Sequence, residues 1–331
     1  MEHVEFGRTG LKVSRFGFGC GSVGGLMVRG APQDHERTIA RALEAGVTYF
    51  DTAVLYGNGA SEVNLGRVWA KLKPTAYVGT KIRIAGAERS DIAAAAAASL
   101  EGSLGRLGMD QVDVFYLHNS ITWDGAGDSL SARMVLDEVV PAFEALRRQG
   151  KVRFLGLTAL GETGAVLQVI DSGAFDVAQV TYNMLNPSAG AAVPLGYPAQ
   201  DYGRLLEHTT KAGMGIVGIR ALAGGALSGV TVRHPIASPP PEPIGSAWRY
   251  EDDVARAQRL LPLVTEGYAA SLAEAAIRFV VSNAAIGTVL VGMATYEEFA
   301  AALAAVEKGP LPAAALPRLS ALQQGFVGER R

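Results

Sequence analysis

Val47-Thr48-Tyr49-Phe50-Asp51-Thr52-Ala53-Val54-Leu55-Tyr56-Gly57 decides how the rest of the chain is read. A short apolar run, of the length of a buried strand, ends on a carboxylate, and a tyrosine follows five residues later. The pattern returns twice. Ala76-Tyr77-Val78-Gly79-Thr80 ends on Lys81, and Val112-Asp113-Val114-Phe115-Tyr116-Leu117 ends on His118. The C-terminal ends of buried parallel strands are where a (β/α)8 barrel keeps its chemistry. A tyrosine flanked by a lysine, a carboxylate and a histidine is a proton-transfer set. It suits a carbonyl/alcohol pair.

Outward from this stretch, strand-like runs occur at residues 16–19, 48–51, 77–81, 112–117, 154–157, 177–181, 216–219 and 289–291. Helix-like segments alternate with them at 34–45, 62–72, 90–107, 135–149, 165–172, 202–212, 272–282 and 296–306. Such alternation predicts parallel β/α units, and eight units predict closure into an α/β TIM barrel. The strands lack strict alternation, as expected when both faces are buried. Gly46, Gly150 and Gly213 stand where a left-handed helix cap is expected. Ser61-Glu62 and Ser90-Asp91 place a cap and an acid at helix starts.

Three segments lie outside the repeat. Residues 5–14, with Arg8-Thr9-Gly10 between short apolar pieces, read as an N-terminal hairpin plugging the barrel bottom. Residues 230–249 contain His234-Pro235 and Pro239-Pro240-Pro241, and read as a long loop after strand seven, over the active face. Residues 251–267 return as a helix, and 316–326 predict an extra C-terminal helix. No linker divides the chain, so residues 1–331 are expected to form one barrel domain.

Charge and composition exclude several classes. The 331 residues are 49% hydrophobic, with 30 basic and 32 acidic side chains and a net charge of −2. Without a basic stripe, nucleic acid and anionic membranes are poor partners. The single cysteine, Cys20, allows no internal disulfide and fits a reducing compartment. Neither a signal-like start nor a membrane-length apolar run is found, so a cytoplasmic soluble protein is expected. His3, His35, His118, His208 and His234 lack ligand spacing, so no metal is expected. The oligomeric state is left open.

Each candidate has a plainer explanation. Lys81 closing an apolar strand needs a partner. Asp51 supplies one, either for chemistry or simply as an ion pair joining two strands. A lone histidine such as His118 often serves only as a hydrogen-bonded core residue. The convergence of all three around Tyr56 favours chemistry. A free tyrosine titrates near about 10, and a nearby Lys⁺ is expected to lower that value. His118 would donate to the substrate oxygen. Gly19-Cys20-Gly21-Ser22-Val23-Gly24 matches G-x-G-x-x-G. Residues 27–32 separate it from the next predicted helix, whereas a dinucleotide fingerprint needs a helix opening at the glycines. A Rossmann reading is therefore set aside. Cys20 reads more readily as a small buried thiol than as a reactive one.

Asp51-Thr52-Ala53, Tyr56-Gly57, Ser61-Glu62, Leu65-Gly66, Thr80-Lys81 and Tyr116-Leu117-His118 together resemble the aldo-keto reductases. The resemblance runs from Gly7-Arg8-Thr9-Gly10-Leu11-Lys12-Val13-Ser14 to Leu290-Val291-Gly292-Met293. It implies a barrel that binds NAD(P)H without a Rossmann domain and acts on a small carbonyl or alcohol substrate. It implies Tyr56 as general acid/base, Lys81 and Asp51 as its tuning pair, and His118 as the group orienting the carbonyl. The cofactor positions it implies are Gly21, Thr158, Gln179, Ile219, Arg220, Leu222, Gly292, Met293, Thr295 and Glu298. Thr158 and Gln179 match carboxamide contacts. Ala159 departs from the family's asparagine and Ile219 from its stacking aromatic, while Arg220 is placed to reach the pyrophosphate. Cys20, Leu55, Trp123 and Trp248 are the candidate substrate walls, with a surface anchor as the alternative for Trp123. The two terminal motifs are most similar to the sugar-dehydrogenase branch, which includes L-galactose and L-fucose (D-threo-aldose) dehydrogenases.

Residues 291–298 contain no Lys or Arg, which predicts that NADH is used at least as well as NADPH. Arg233 or Arg249 from the long loop is the alternative source of charge for a 2′-phosphate. Two rival functions remain in view: a cofactor-binding regulatory protein like the potassium-channel β-subunits, and a metal-dependent barrel hydrolase. Retention of all four catalytic residues argues against the first, and the missing ligand set against the second.

Overall fold

The computed structural model describes residues 1–329 except 238, 243, 247 and 248. An antiparallel hairpin opens the chain, β1 (His3–Glu5) and β2 (Lys12–Ser14), in register His3 with Ser14. Eight parallel strands then close a barrel. They are β3 (Phe16–Gly19), β4 (Tyr49–Asp51), β5 (Tyr77–Ile82), β6 (Val112–Leu117), β9 (Val152–Thr158), β10 (Val177–Thr181), β11 (Gly215–Ile219) and β12 (Thr288–Gly292). Neighbours around the ring follow chain order, and β12 closes on β3 through Leu290 opposite Gly17. The predicted (β/α)8 fold is thus observed. Its eight strands fall on the predicted runs, shifted by a few residues at the ends.

Two apolar layers result. The inner one joins the barrel interior, Tyr49, Val114, Tyr116, Val177, Val217 and Leu290, to Phe6, Leu11 and Val13 of the hairpin region. The Phe6 ring fills the space at Gly215 and Gly287, where a Cβ would meet it at 2.9 and 3.1 Å. The hairpin therefore plugs the barrel, as expected. Arg8 holds it there by donating to the carbonyls of Gly173 and Phe175, each at 2.8 Å. The outer layer packs the strands against the surrounding helices. Gly46, Gly150 and Gly213 all have φ near +70 to +80°, at +83, +75 and +67°, as the helix ends require.

Some local expectations are corrected. A one-turn helix, Leu26–Arg29, opens beside the glycine-rich loop, before the helix Pro32–Glu44. The closed barrel still excludes a dinucleotide-binding sheet. Ser61 does not cap its helix, because Gly59 stands at that position. Its hydroxyl is buried and donates to the Cys20 carbonyl at 2.9 Å. Asp91, rather than Ser90, accepts from the Ala94 amide and caps Ile92–Leu107. The loop after His118 carries two short paired strands, β7 (Ile121–Thr122) and β8 (Leu130–Ser131). The predicted helix 135–149 begins as a π segment, Val135–Val139, before Val140–Arg148. Among the described residues no helix is long and apolar enough to cross a membrane.

Candidate active site

Strand pairing brings the sequence-distant polar residues to one end of the barrel. Asp51 lies opposite Gly79 and next to Gly19, Lys81 lies opposite Tyr116, and His118 leaves β6 immediately afterwards. Lys81 is fully buried. Its ammonium spends three hydrogens on three acceptors: Asp51 Oδ2 at 2.5 Å, the Thr52 carbonyl at 2.8 Å and the Tyr56 hydroxyl at 3.0 Å. Both carboxylate oxygens of Asp51 are occupied, since Gln179 Nε2 donates to Oδ1. The Thr52 and Ser61 hydroxyls are bonded at 2.8 Å, which fixes the turn presenting Tyr56. His118 meets the Tyr56 ring edge-on, with centroids 6.1 Å apart. Its buried Nδ1 has no hydrogen-bond partner.

Burial sets the electrostatics. It raises Asp51 above the usual carboxylate range, with Lys81 and Gln179 pulling the other way. It pulls the Lys81 ammonium down, but Asp51 and Tyr56 together hold it above its ordinary value, so Lys81 stays charged. Tyr56 is raised by burial, against the pull of Lys81. The expected lowering of Tyr56 is therefore corrected. The lysine acts in the predicted direction, but the desolvation of a buried phenolate is larger. Tyr56 is consequently protonated at neutral pH. Burial, then the positive charges of Lys81, Arg83 and Arg220, depress His118 to about 3, so its imidazole is neutral. Burial likewise pushes the Cys20 thiol well up, which disfavours its thiolate.

Above this floor lies a cleft of about 850 Å³. Asp51, Tyr56, Gly21, Gln179, Ile219, Arg220, Leu222, Gly292, Met293 and Glu298 all line it. Of the other expected cofactor positions, Thr158 is buried behind Gln179, with its hydroxyl 3.4 Å from Gln179 Oε1. Thr295 caps the helix Tyr296–Glu307 by accepting from the Glu298 amide. The expected substrate walls fare differently. Cys20 is buried beneath the cleft and Leu55 is exposed at 48%. Trp123 is exposed at 58%, its ring against Gly164, and it does not line the cleft. Trp248 lies outside the described residues.

The long loop joins the cleft's two walls, a contact that local sequence signals did not reveal. Arg29, at the end of the one-turn helix after β3, donates to the carbonyls of Ile236 and Ser22. Arg233 answers from the loop, donating to the Val23 carbonyl at 3.1 Å, the Ala237 carbonyl at 2.9 Å and the Tyr250 hydroxyl at 3.1 Å. The two arginines hold the loop across the cleft. Arg249, the other loop cation, is paired with Asp252 at 2.8 Å. Lys308 reaches the cleft but is paired with Glu274 at 2.7 Å.

Comparisons with known proteins agree with the barrel fold. The family described as Aldo/keto reductase family matches residues 15–324. An L-galactose dehydrogenase of Arabidopsis thaliana is 27% identical over 313 residues, covering 92% of this chain and 88% of that protein. A probable aldo-keto reductase 1 of Glycine max is 29% identical over 171 residues, covering 48% and 45%. The holo form of an aldo-keto reductase from Bacillus halodurans shares the fold, with a TM-score of 0.71 at 22% identity over 100% of this chain and 98% of that one. With the barrel, the buried lysine hub and the cleft in place, the chain belongs to the aldo/keto reductase family of nicotinamide-dependent oxidoreductases acting on small carbonyl compounds.

Proposed function

We propose that this protein interconverts an aldehyde, sugar or ketone with its alcohol, using Tyr56 as general acid/base and accepting NAD(H) at least as well as NADP(H). The observation that carries this reading is the buried hub in which Lys81 bonds Asp51 and the Tyr56 hydroxyl together at the cleft floor. Tyr56, protonated at neutral pH, gives its proton to the carbonyl oxygen during reduction. Lys81 then stabilises the phenolate left behind. Neutral His118 directs an N–H at the same oxygen and so fixes which face of the carbonyl meets the donor.

A bound nicotinamide cofactor supplies or accepts the hydride. The chain fits such a group. Gly24 packs tightly against the chain just past β12, where a Cβ would lie 2.2 Å from the Met293 amide, and Gly21 and Gly292 line the cleft. Arg220 and Arg233 both line it and would offer positive charge to a diphosphate, although most of the Arg233 N–H groups are spent on the loop and on Tyr250. For a 2′-phosphate the provision is poorer, because Arg249 and Lys308 are each tied to an acid. Glu298 is exposed beside the cleft, where a ribose hydroxyl can donate to it. The likeness to an L-galactose dehydrogenase makes aldoses the first substrates to test.

The test is an absorbance screen at the nicotinamide band with aldoses and simple aldehydes, run in both directions. Turnover that Tyr56→Phe lowers by about 10²–10⁴-fold, with cofactor binding retained, is the expected result. A variant keeping most of its kcat overturns the role of Tyr56. Cofactor binding without turnover of any carbonyl would favour a regulatory protein.

A further inference from the structure

We infer that Gln179 is a positioning residue for proton transfer, acting through Asp51 rather than only as a wall of the cofactor cleft. The inference rests on the proposed roles of Tyr56, Lys81 and Asp51, and assigns the residue that completes their support.

The argument is one of donors and acceptors. Asp51 is a buried carboxylate, and such a group keeps its charge only when its oxygens are supplied with donors. Lys81 satisfies Oδ2. All three of its hydrogens are already used, so it has none left for Oδ1. Among the described residues, Gln179 is the donor that Oδ1 has. Gln179 is itself 2% exposed, with the Thr158 hydroxyl 3.4 Å from its Oε1 and Tyr116 bonded to its side chain. Burial and the bond to Asp51 Oδ1 set the amide with its NH₂ end towards Asp51. A chain of contacts therefore runs Thr158, Gln179, Asp51, Lys81, Tyr56, with four of the five side chains on different strands or strand ends. The other titratable groups facing Asp51 are Cys20, Tyr49, Tyr56 and Tyr116. None of them donates a hydrogen bond to it. Tyr49 and Tyr116 bond each other through their hydroxyls. If Gln179 is lost, Oδ1 is left bare, the anionic form of Asp51 weakens, and Lys81 loses the counter-charge that lets it serve Tyr56.

The test uses the full-length protein with NADH and its best aldehyde. Gln179→Met keeps the length of the side chain and removes the donor. At saturating NADH it should lower kcat by about ten- to a hundredfold, the range for one hydrogen bond to a charged group, a loss additional to any rise in the Kd for NADH. Gln179→Glu gives a second, independent readout. While protonated, the new carboxyl donates to Asp51 Oδ1 and activity persists. As pH rises it becomes a second carboxylate beside Asp51, and kcat should fall along a limb that the wild type lacks. Thermal melts confirm that each variant is folded, and Thr158→Val, which only releases Gln179 Oε1, should show a milder loss of kcat. Losses confined to NADH affinity, together with a wild-type pH profile for Gln179→Glu, would overturn the inference and leave Gln179 a cofactor contact alone. A failure of the underlying reading looks different, since Tyr56→Phe would then remain active.

Discussion

Removing the lysine at the centre of the hub tests both the chemistry and its cost in stability. In Lys81→Met, Asp51 keeps its burial and loses its ion partner at 2.5 Å, both side chains being almost fully enclosed. Breaking a buried pair from one side costs about 3–5 kcal/mol, because the remaining charge is uncompensated. With an unfolding entropy of roughly 2.1 cal/mol/K per residue, the 331 residues give a fall in Tm of about 4–7 °C at pH 8. The sign of the pH dependence follows from Asp51. Burial already raises its folded pKa above the unfolded value, and loss of Lys81 raises it further. Between the two values the native state binds more protons than the unfolded chain, so stability falls as pH rises. The variant's deficit should therefore be large at pH 8 and shrink towards pH 5. Lys81→Met/Asp51→Asn, which removes the stranded charge, should recover over half of the loss. Turnover should stay down by about 10²–10⁴-fold in both variants, because Tyr56 has lost its donor. Scanning calorimetry at the two pH values, with kcat measured on the same samples, provides the data. A single variant that melts with the wild type at pH 8, or whose deficit is the same at both pH values, refutes the reasoning.

Three further outcomes are expected. Comparison of kcat/KM for the two cofactors should show NADH used at least as well as NADPH, and an NADPH preference of about tenfold or more, worth roughly 1.4 kcal/mol, would sink the claim. Arg29→Ala removes the bonds to Ile236 and Ser22 and should speed NADH release roughly three- to tenfold in stopped-flow fluorescence; an unchanged rate means the long loop does not govern release. His118, depressed to about 3, binds fewer protons in the native state than in the unfolded chain. It therefore contributes stability that is present above about 6.5 and is lost as pH falls from there towards 3. His118→Phe should lessen acid sensitivity in urea melts at pH 7 and 4, and an identical difference between the two pH values for both proteins would rule this out.

What could be read along the chain was whatever local chemistry encodes. Asp51, Lys81 and His118 each end an apolar run, and a buried parallel strand writes its length and its exit into consecutive residues. Eight such runs separated by helical segments fixed the barrel, and Gly46, Gly150 and Gly213 marked helix ends because few other residues adopt a positive φ at little cost. Contacts set by closure of the ring were not legible. Gln179 reaches Asp51 across 128 residues of chain, and Arg29 reaches Ile236 across 207. Neither periodicity nor motif specifies such a meeting. Trp123 shows the same limit from the other side, since a residue in the loop after His118 turned away from the cleft and stayed exposed. The direction of the Tyr56 shift was also tertiary. The sequence supplied the lysine that lowers it, but desolvation depends on how much protein surrounds the hydroxyl, and only the packed barrel decides that.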